Sequence, residues 1–166
     1  MKEIKNKLIY TLKYILLLLI VCLLICFEKS FLSQVAFLEH LRLSAVICAV
    51  IALCAPTVCA CVLSGVCGLF LDFYSLSLPY FSLFYLYISF GCVWCESFFA
   101  SLRGKTVFLI CFFVFFVLAA ALELFNMLVL GRFFVLWEMV FEAFLFALIN
   151  SAFSPIVYAV LKRLRF

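Results

Sequence analysis

Few side chains in this sequence are equipped for chemistry. Asp72, Glu123, Glu138 and Glu142 fall in or beside its most apolar stretches. Carboxylates whose surroundings push their proton affinities apart can divide acid and base roles, but no further catalytic group accompanies these. The single histidine, His40, stands beside Glu39 in a stretch that reads as a solvated external loop. Cys92-Val-Trp-Cys95 has the spacing of a dithiol redox motif, but it lies in an apolar run without the βαβ context such motifs need. The ten cysteines are scattered through apolar segments and read as small packing residues. No metal-ligand spacing, phosphate loop or nucleophile elbow is present. The expectation is a protein with no catalytic residue, no metal and no cofactor, whose polar groups serve packing and recognition.

The elements that must position these groups follow from composition. Of the 166 residues, 71% are hydrophobic and 12% charged, against roughly half and a quarter in soluble domains. So much apolar surface requires lipid as solvent, and only helical bundles and closed barrels span a bilayer. The apolar runs are continuous rather than alternating, which excludes barrel strands. The fold class is therefore an all-α membrane protein, a single polytopic domain over 1–166. Its formal charge of +4 is a topology signal, and no nucleic-acid partner is implied.

A span needs about 20 apolar residues. The first falls at 8–27, a retained helix despite its signal-like lysine-rich start. The run 41–71 would be roughly 46 Å long as one helix, and Pro56 near its middle breaks it into helices at 41–54 and 57–71. A polar turn covers 72–78. Further helices are expected at 79–99, 107–124 and 138–161, with an interfacial segment at 127–137 that contains Gly131, Arg132 and Trp137. Six spans with both termini cytoplasmic put Lys2, Lys5, Lys7, Lys13, Arg103, Lys105, Lys162, Arg163 and Arg165 inside. These are nine of the twelve basic residues, as the positive-inside rule favours. A single crossing at 41–71 would move Arg103, Lys105 and the C-terminal cluster outside. Trp94 and Trp137 then fall near opposite interfaces.

Within this frame, Asp72 ends the third helix. A carboxylate at a helix C-terminus opposes the macrodipole, so Asp72 is expected to accept hydrogen bonds from the start of the fourth helix or to pair with Arg42 or Arg132. Gly65 and Gly68 cost helix propensity, but with Cys61 and Ser64 they give the third helix a small-residue face for close packing. On the sixth helix, Glu138, Glu142 and Asn150 share an arc of roughly 120° and are expected to face the bundle interior. Glu142 reads as the least easily solvated of them. Pro155 is expected to kink the inner third. Asp72, Glu123, Glu138 and Glu142 together suggest an acidic outer rim.

"GVCGLFLDFYS" followed by "LPYFSLFYLYISFG" resembles the rod shape-determining protein MreD family, whose glycine-rich third helix ends in a Gly-Leu-x-x-Asp-like signature. Gly65, Gly68, Leu69 and Asp72 carry it here. The basic exit of the fourth helix (Arg103, Lys105) is similar, as is "LINSAFSPIVYAVLKRLRF", where Asn150 and Pro155 precede a basic tail. The resemblance implies a six-helix bundle like that of the substrate-binding S components of energy-coupling-factor transporters. It also implies a non-enzymatic inner-membrane component of the cell-elongation machinery. Its partners would be an MreC-like bitopic protein and, further, MreB, RodA and a class B transpeptidase. Gly65, Gly68, Asp72, Glu138, Glu142 and Asn150 are the candidate partner-binding or packing residues. The alternative is a vitamin-binding S component itself. Such proteins tend to carry an alanine-x-x-x-alanine docking face on the first helix, whereas 8–27 contains neither Ala nor Gly.

Overall fold

The computed structural model describes residues 2–31, 40–75, 80–99, 101–130 and 136–163. Six helices order these residues: α1 (Lys2–Ser30), α2 (Leu43–Cys54), α3 (Thr57–Ser75), α4 (Tyr80–Glu96), α5 (Gly104–Leu130) and α6 (Leu136–Arg163). Four contain segments long and apolar enough to cross a membrane: Thr11–Ser30, Thr57–Tyr74, Gly104–Phe125 and Trp137–Arg163. α2, at 12 residues, is about 18 Å long and falls well short of a hydrocarbon core about 30 Å thick.

Pro56 separates α2 from α3. It forces the preceding residue out of the helical region, and Ala55 is extended (φ −114°, ψ 161°). The Ala55 N–H still reaches the Ile51 carbonyl at 2.8 Å, closing α2, while the Pro56 carbonyl accepts the Ala60 N–H at 3.1 Å, opening α3. One residue thus ends one helix and starts the next.

Several limits differ from the sequence expectation, mostly because helices continue past their apolar runs. Backbone hydrogen bonding does not stop where the side chains turn polar, so α1 and α6 overrun 8–27 and 138–161; α5 runs past 107–124 through the mostly apolar 125–130, so 127–130 of the expected interfacial segment are helical. α3 runs to Ser75, which places Asp72 inside its last turn rather than at the start of a loop. α4 is shorter than 79–99. After Glu96, the N–H groups of Ser97, Phe98 and Phe99 bond three residues back, to Trp94, Cys95 and Glu96, tightening the chain out of the helix. Pro79, the turn at 76–78, Glu39, Gly131, Arg132 and Arg165 lie outside the described residues. Pro155 is inside α6. It has no N–H for the Ser151 carbonyl four residues back, and the Ser154 hydroxyl donates to that oxygen instead, at 2.7 Å. Trp94 and Trp137 are both exposed, at opposite ends of the bundle.

α2 is the centre of the bundle and packs against each of the other five helices. Its buried residues include Ser44, Ala45, Cys48, Ala49 and Ala52. Between lipid-embedded helices no hydrophobic force drives association, so close packing through small residues must supply it. α3 with α4 and α5 with α6 form hairpins around this axis. α1 packs mainly on α2 and α3 and leaves Leu12, Leu16, Leu19 and Leu23 outward, a face suited to lipid.

The two expected glycines of α3 behave differently. A Cβ on Gly68 would stand 2.4 Å from Ser82 Cα and 2.7 Å from the Phe81 carbonyl oxygen, so the backbone of α4 lies directly against it. A Cβ on Gly65 would meet only Leu86 Cδ2, at 3.4 Å, an ordinary contact. Gly68→Ala should therefore force α4 away and lower stability by about 1–3 kcal/mol, the usual cost of overpacking. Gly65→Ala should be close to neutral. Thermal unfolding of both variants in detergent checks this, and equal midpoints would contradict the packing described.

Candidate functional site

The polar residues of the interior act at helix starts. The first N–H groups of a helix have no partner within it, and in an apolar bundle water cannot supply one. Asp72 does so for α4. Its Oδ1 accepts the N–H of Tyr80 at 3.2 Å and of Phe81 at 2.8 Å, and its Oδ2 accepts that of Ser82 at 2.9 Å. The carboxylate sits at the positive end of the α4 dipole, where negative charge is favoured. Gly68, one turn earlier, gives the room for this approach. The sequence expectation that Asp72 receives hydrogen bonds from the fourth helix is thus what the geometry contains. The expectation that it joins an acidic rim is not, because the residue is only 6% exposed.

Two side chains hold the start of α2. Glu28 of α1 is buried; its Oε1 accepts the Ser44 N–H at 2.6 Å and its Oε2 accepts the Ser44 hydroxyl at 2.7 Å. Ser44 Oγ lies 2.6 Å from the Tyr85 hydroxyl. A serine hydroxyl has one proton, so when it donates to Glu28 the tyrosine must donate to it. The chain therefore runs Tyr85 to Ser44 to Glu28 and ties α4, α2 and α1. From the other side, Asn150 Oδ1 accepts the Arg42 N–H at 2.7 Å, and its Nδ2 donates to the carbonyls of His40 and Phe146, both at 2.8 Å. Asn150 is fully buried and lies about 21 Å along α6 from its start. The chain before α2 therefore enters deep into the bundle before its helix begins.

Above this point lies a cavity of about 590 Å³ at the end where α2, α4 and α6 begin. Its wall carries His40, Arg42, Glu123, Glu138 and Glu142, and its floor is aromatic, formed by Tyr80, Phe81, Phe84, Tyr85 and Phe146. Phe84 meets both Tyr85 and Phe146 edge to face, with centroids 6.2 and 6.4 Å apart. His40 Nε2 is 3.5 Å from Glu142 Oε2. Arg42 also lies near enough to Glu28 for their charges to interact.

Two readings of single residues are corrected here. Glu142 is not the least solvated of Glu138, Glu142 and Asn150; its side chain is 53% exposed beside the cavity, and Asn150 is the buried one. His40 is no free loop residue, since its backbone is held by Asn150 and its ring faces Glu142. The candidate residues thus fall into two groups. Gly68 and Asp72 build the α3–α4 junction, with Gly65 a looser contact along the same face. Glu138 and Glu142 line the cavity, whose base Asn150 fixes through His40 and Arg42. Glu28, Ser44 and Tyr85 carried no motif. Glu28 falls just beyond the expected first helix, beside a lysine, where an acid reads as solvated. Among the described residues no group of His, Cys, Asp and Glu could hold a metal ion.

Comparison with protein-family models, with curated proteins and with solved structures finds no match to this chain.

Replacing Asn150 by Leu should leave the Arg42 N–H and the His40 carbonyl unpaired in the interior, at about 1–3 kcal/mol for each orphaned group. The outward-facing Leu148→Ala on the same helix should cost little. Thermal unfolding in detergent that fails to separate the two would contradict the role assigned to Asn150.

Proposed function

We propose that this chain is a non-enzymatic, MreD-like component of the bacterial cell-elongation machinery. It would lie in the inner membrane with both termini cytoplasmic, bind an MreC-like bitopic protein and, with MreB, RodA and a class B transpeptidase, help organise lateral wall synthesis. The observation that carries this reading is the use made of the residues behind the resemblance. Gly68 and Asp72 make the α3–α4 junction, Asn150 anchors the start of α2, and Ser154 serves the carbonyl left open by Pro155. A signature inherited with a fold is expected to fall on such junctions. The arrangement of basic residues supports the orientation, with nine of twelve on one side of a six-span topology. No step of chemistry is assigned: Asp72, Glu28, Ser44 and Asn150 serve helix starts, Tyr85 a neighbouring helix, and Ser154 the break at Pro155.

The cavity favours a second reading, an S component of an energy-coupling-factor transporter, whose fold an MreD-like protein would share. The outward face of α1 weighs against it. Leu12, Leu16, Leu19 and Leu23 are large and exposed, where close docking of a coupling subunit calls for small residues.

Co-expression with the MreC-like protein of the same genome, followed by purification in mild detergent through a tag on this chain, tests the proposal. Stoichiometric retention of the MreC-like protein is expected. Recovery of a transporter coupling subunit and its ATPases in its place would overturn the scaffold reading in favour of the S component.

A further inference from the structure

We infer that the cavity between the starts of α2, α4 and α6 is a binding site for an organic ammonium ion carried on an apolar or aromatic body. Size is the first argument. A volume of about 590 Å³ lies within the range of small-molecule pockets, roughly 300–1,000 Å³. Charge is the second. Three carboxylates, Glu123, Glu138 and Glu142, line the cavity with Arg42, and Lys29 lies against its Phe81 ring; with Glu28 behind the wall, four acids stand against two permanent cations. One of the three is already opposed by His40, and Arg42 is shared with Glu28 behind the wall. The remaining acids favour a positive guest over an anion.

The floor is the third argument. Ring faces attract ammonium groups most strongly where water is excluded. The half-buried rings of Phe84 and Phe146 line the base of the cavity, and Tyr85, 2% exposed, is packed edge to face behind Phe84. The tyrosine is held by the hydroxyl chain to Ser44 and Glu28, so it backs the Phe84 ring with a fixed surface before a guest arrives, and less ordering is lost on binding. The same wall already holds one cation on a ring, with Lys29 Nζ 5.4 Å from the centroid of Phe81. The guest's ammonium would sit between the carboxylates and the rings, with its apolar body against Ala119, Met139 and Ala143.

This inference does not rest on assembly with an MreC-like protein. Its test is calorimetric titration of the full-length purified chain with benzyltrimethylammonium, and with phenylmethanesulfonate as an anion of similar shape. Saturable binding of the cation alone is expected. Glu138→Gln, at the exposed rim, should weaken it about tenfold, the loss of one charge contact in a partly desolvated site. Ala143→Phe should fill the cavity and abolish binding. If that variant does not fold, Glu138→Gln still decides. No saturable binding, equal binding of the anion, or unchanged affinity in Glu138→Gln would overturn the inference, whatever partner the chain retains. Nanodiscs distinguish the source of the amine. Weaker binding of the probe in phosphatidylethanolamine than in an uncharged, amine-free glycolipid, which does not itself gather cations as an anionic lipid would, supports an aminolipid headgroup as the natural guest. Equal binding supports a soluble amine.

Discussion

The bundle depends on satisfying helix starts that are set against other helices, where they are wholly or partly buried. A helix that begins at the membrane surface can leave its first N–H groups to solvent. α2 and α4 begin against other helices, so their N–H groups need acceptors from the protein. Asp72 serves α4, and Glu28 serves α2. Asn150 serves the residue just before α2. Each acceptor comes from a different helix, α3, α1 and α6. Holding the starts of two helices therefore also fixes how five of the six helices sit. Apolar packing alone is a weak guide in lipid, because one leucine face resembles another. Hydrogen bonds with a single geometry give the arrangement its specificity.

How far this was legible from the sequence depended on distance along the chain. Asp72 and its partners are eight to ten residues apart, and a carboxylate four residues after a glycine, near a turn, points to the next helix. Pro56 marked the α2–α3 break because proline constrains the residue before it whatever the tertiary context. Asn150 could be placed in the interior by its depth in an apolar helix. Its partners at His40 and Arg42, more than a hundred residues earlier, could not be read. Glu28 was hidden for another reason. Hydropathy ends the first helix at Phe27, but the backbone continues to Ser30, and those extra residues bring the carboxyl to α2. The same rule misplaced the end of α3, since hydropathy reports solvent preference and not where helical hydrogen bonding stops; at α5 the apolar run itself continues to Leu130, past the acid Glu123 beside which the expected span ends.

The cavity follows from the shortness of α2. A central helix about 18 Å long leaves some 12 Å of a hydrocarbon core about 30 Å thick unfilled along the bundle axis. A helix with its side chains is about 10 Å across, so the missing length corresponds to roughly 900 Å³. A cavity of about 590 Å³ lies at that end, with Arg42 and His40 in its wall. Because Pro56 fixes the lower end of α2, and Glu28 and Asn150 fix its upper end, the helix cannot slide up to close the gap. α3, α4, α5 and α6 are all longer, and they wall the space rather than collapse into it. The polar groups that stop α2 early are thus what keeps an amphipathic chamber at one end of the bundle.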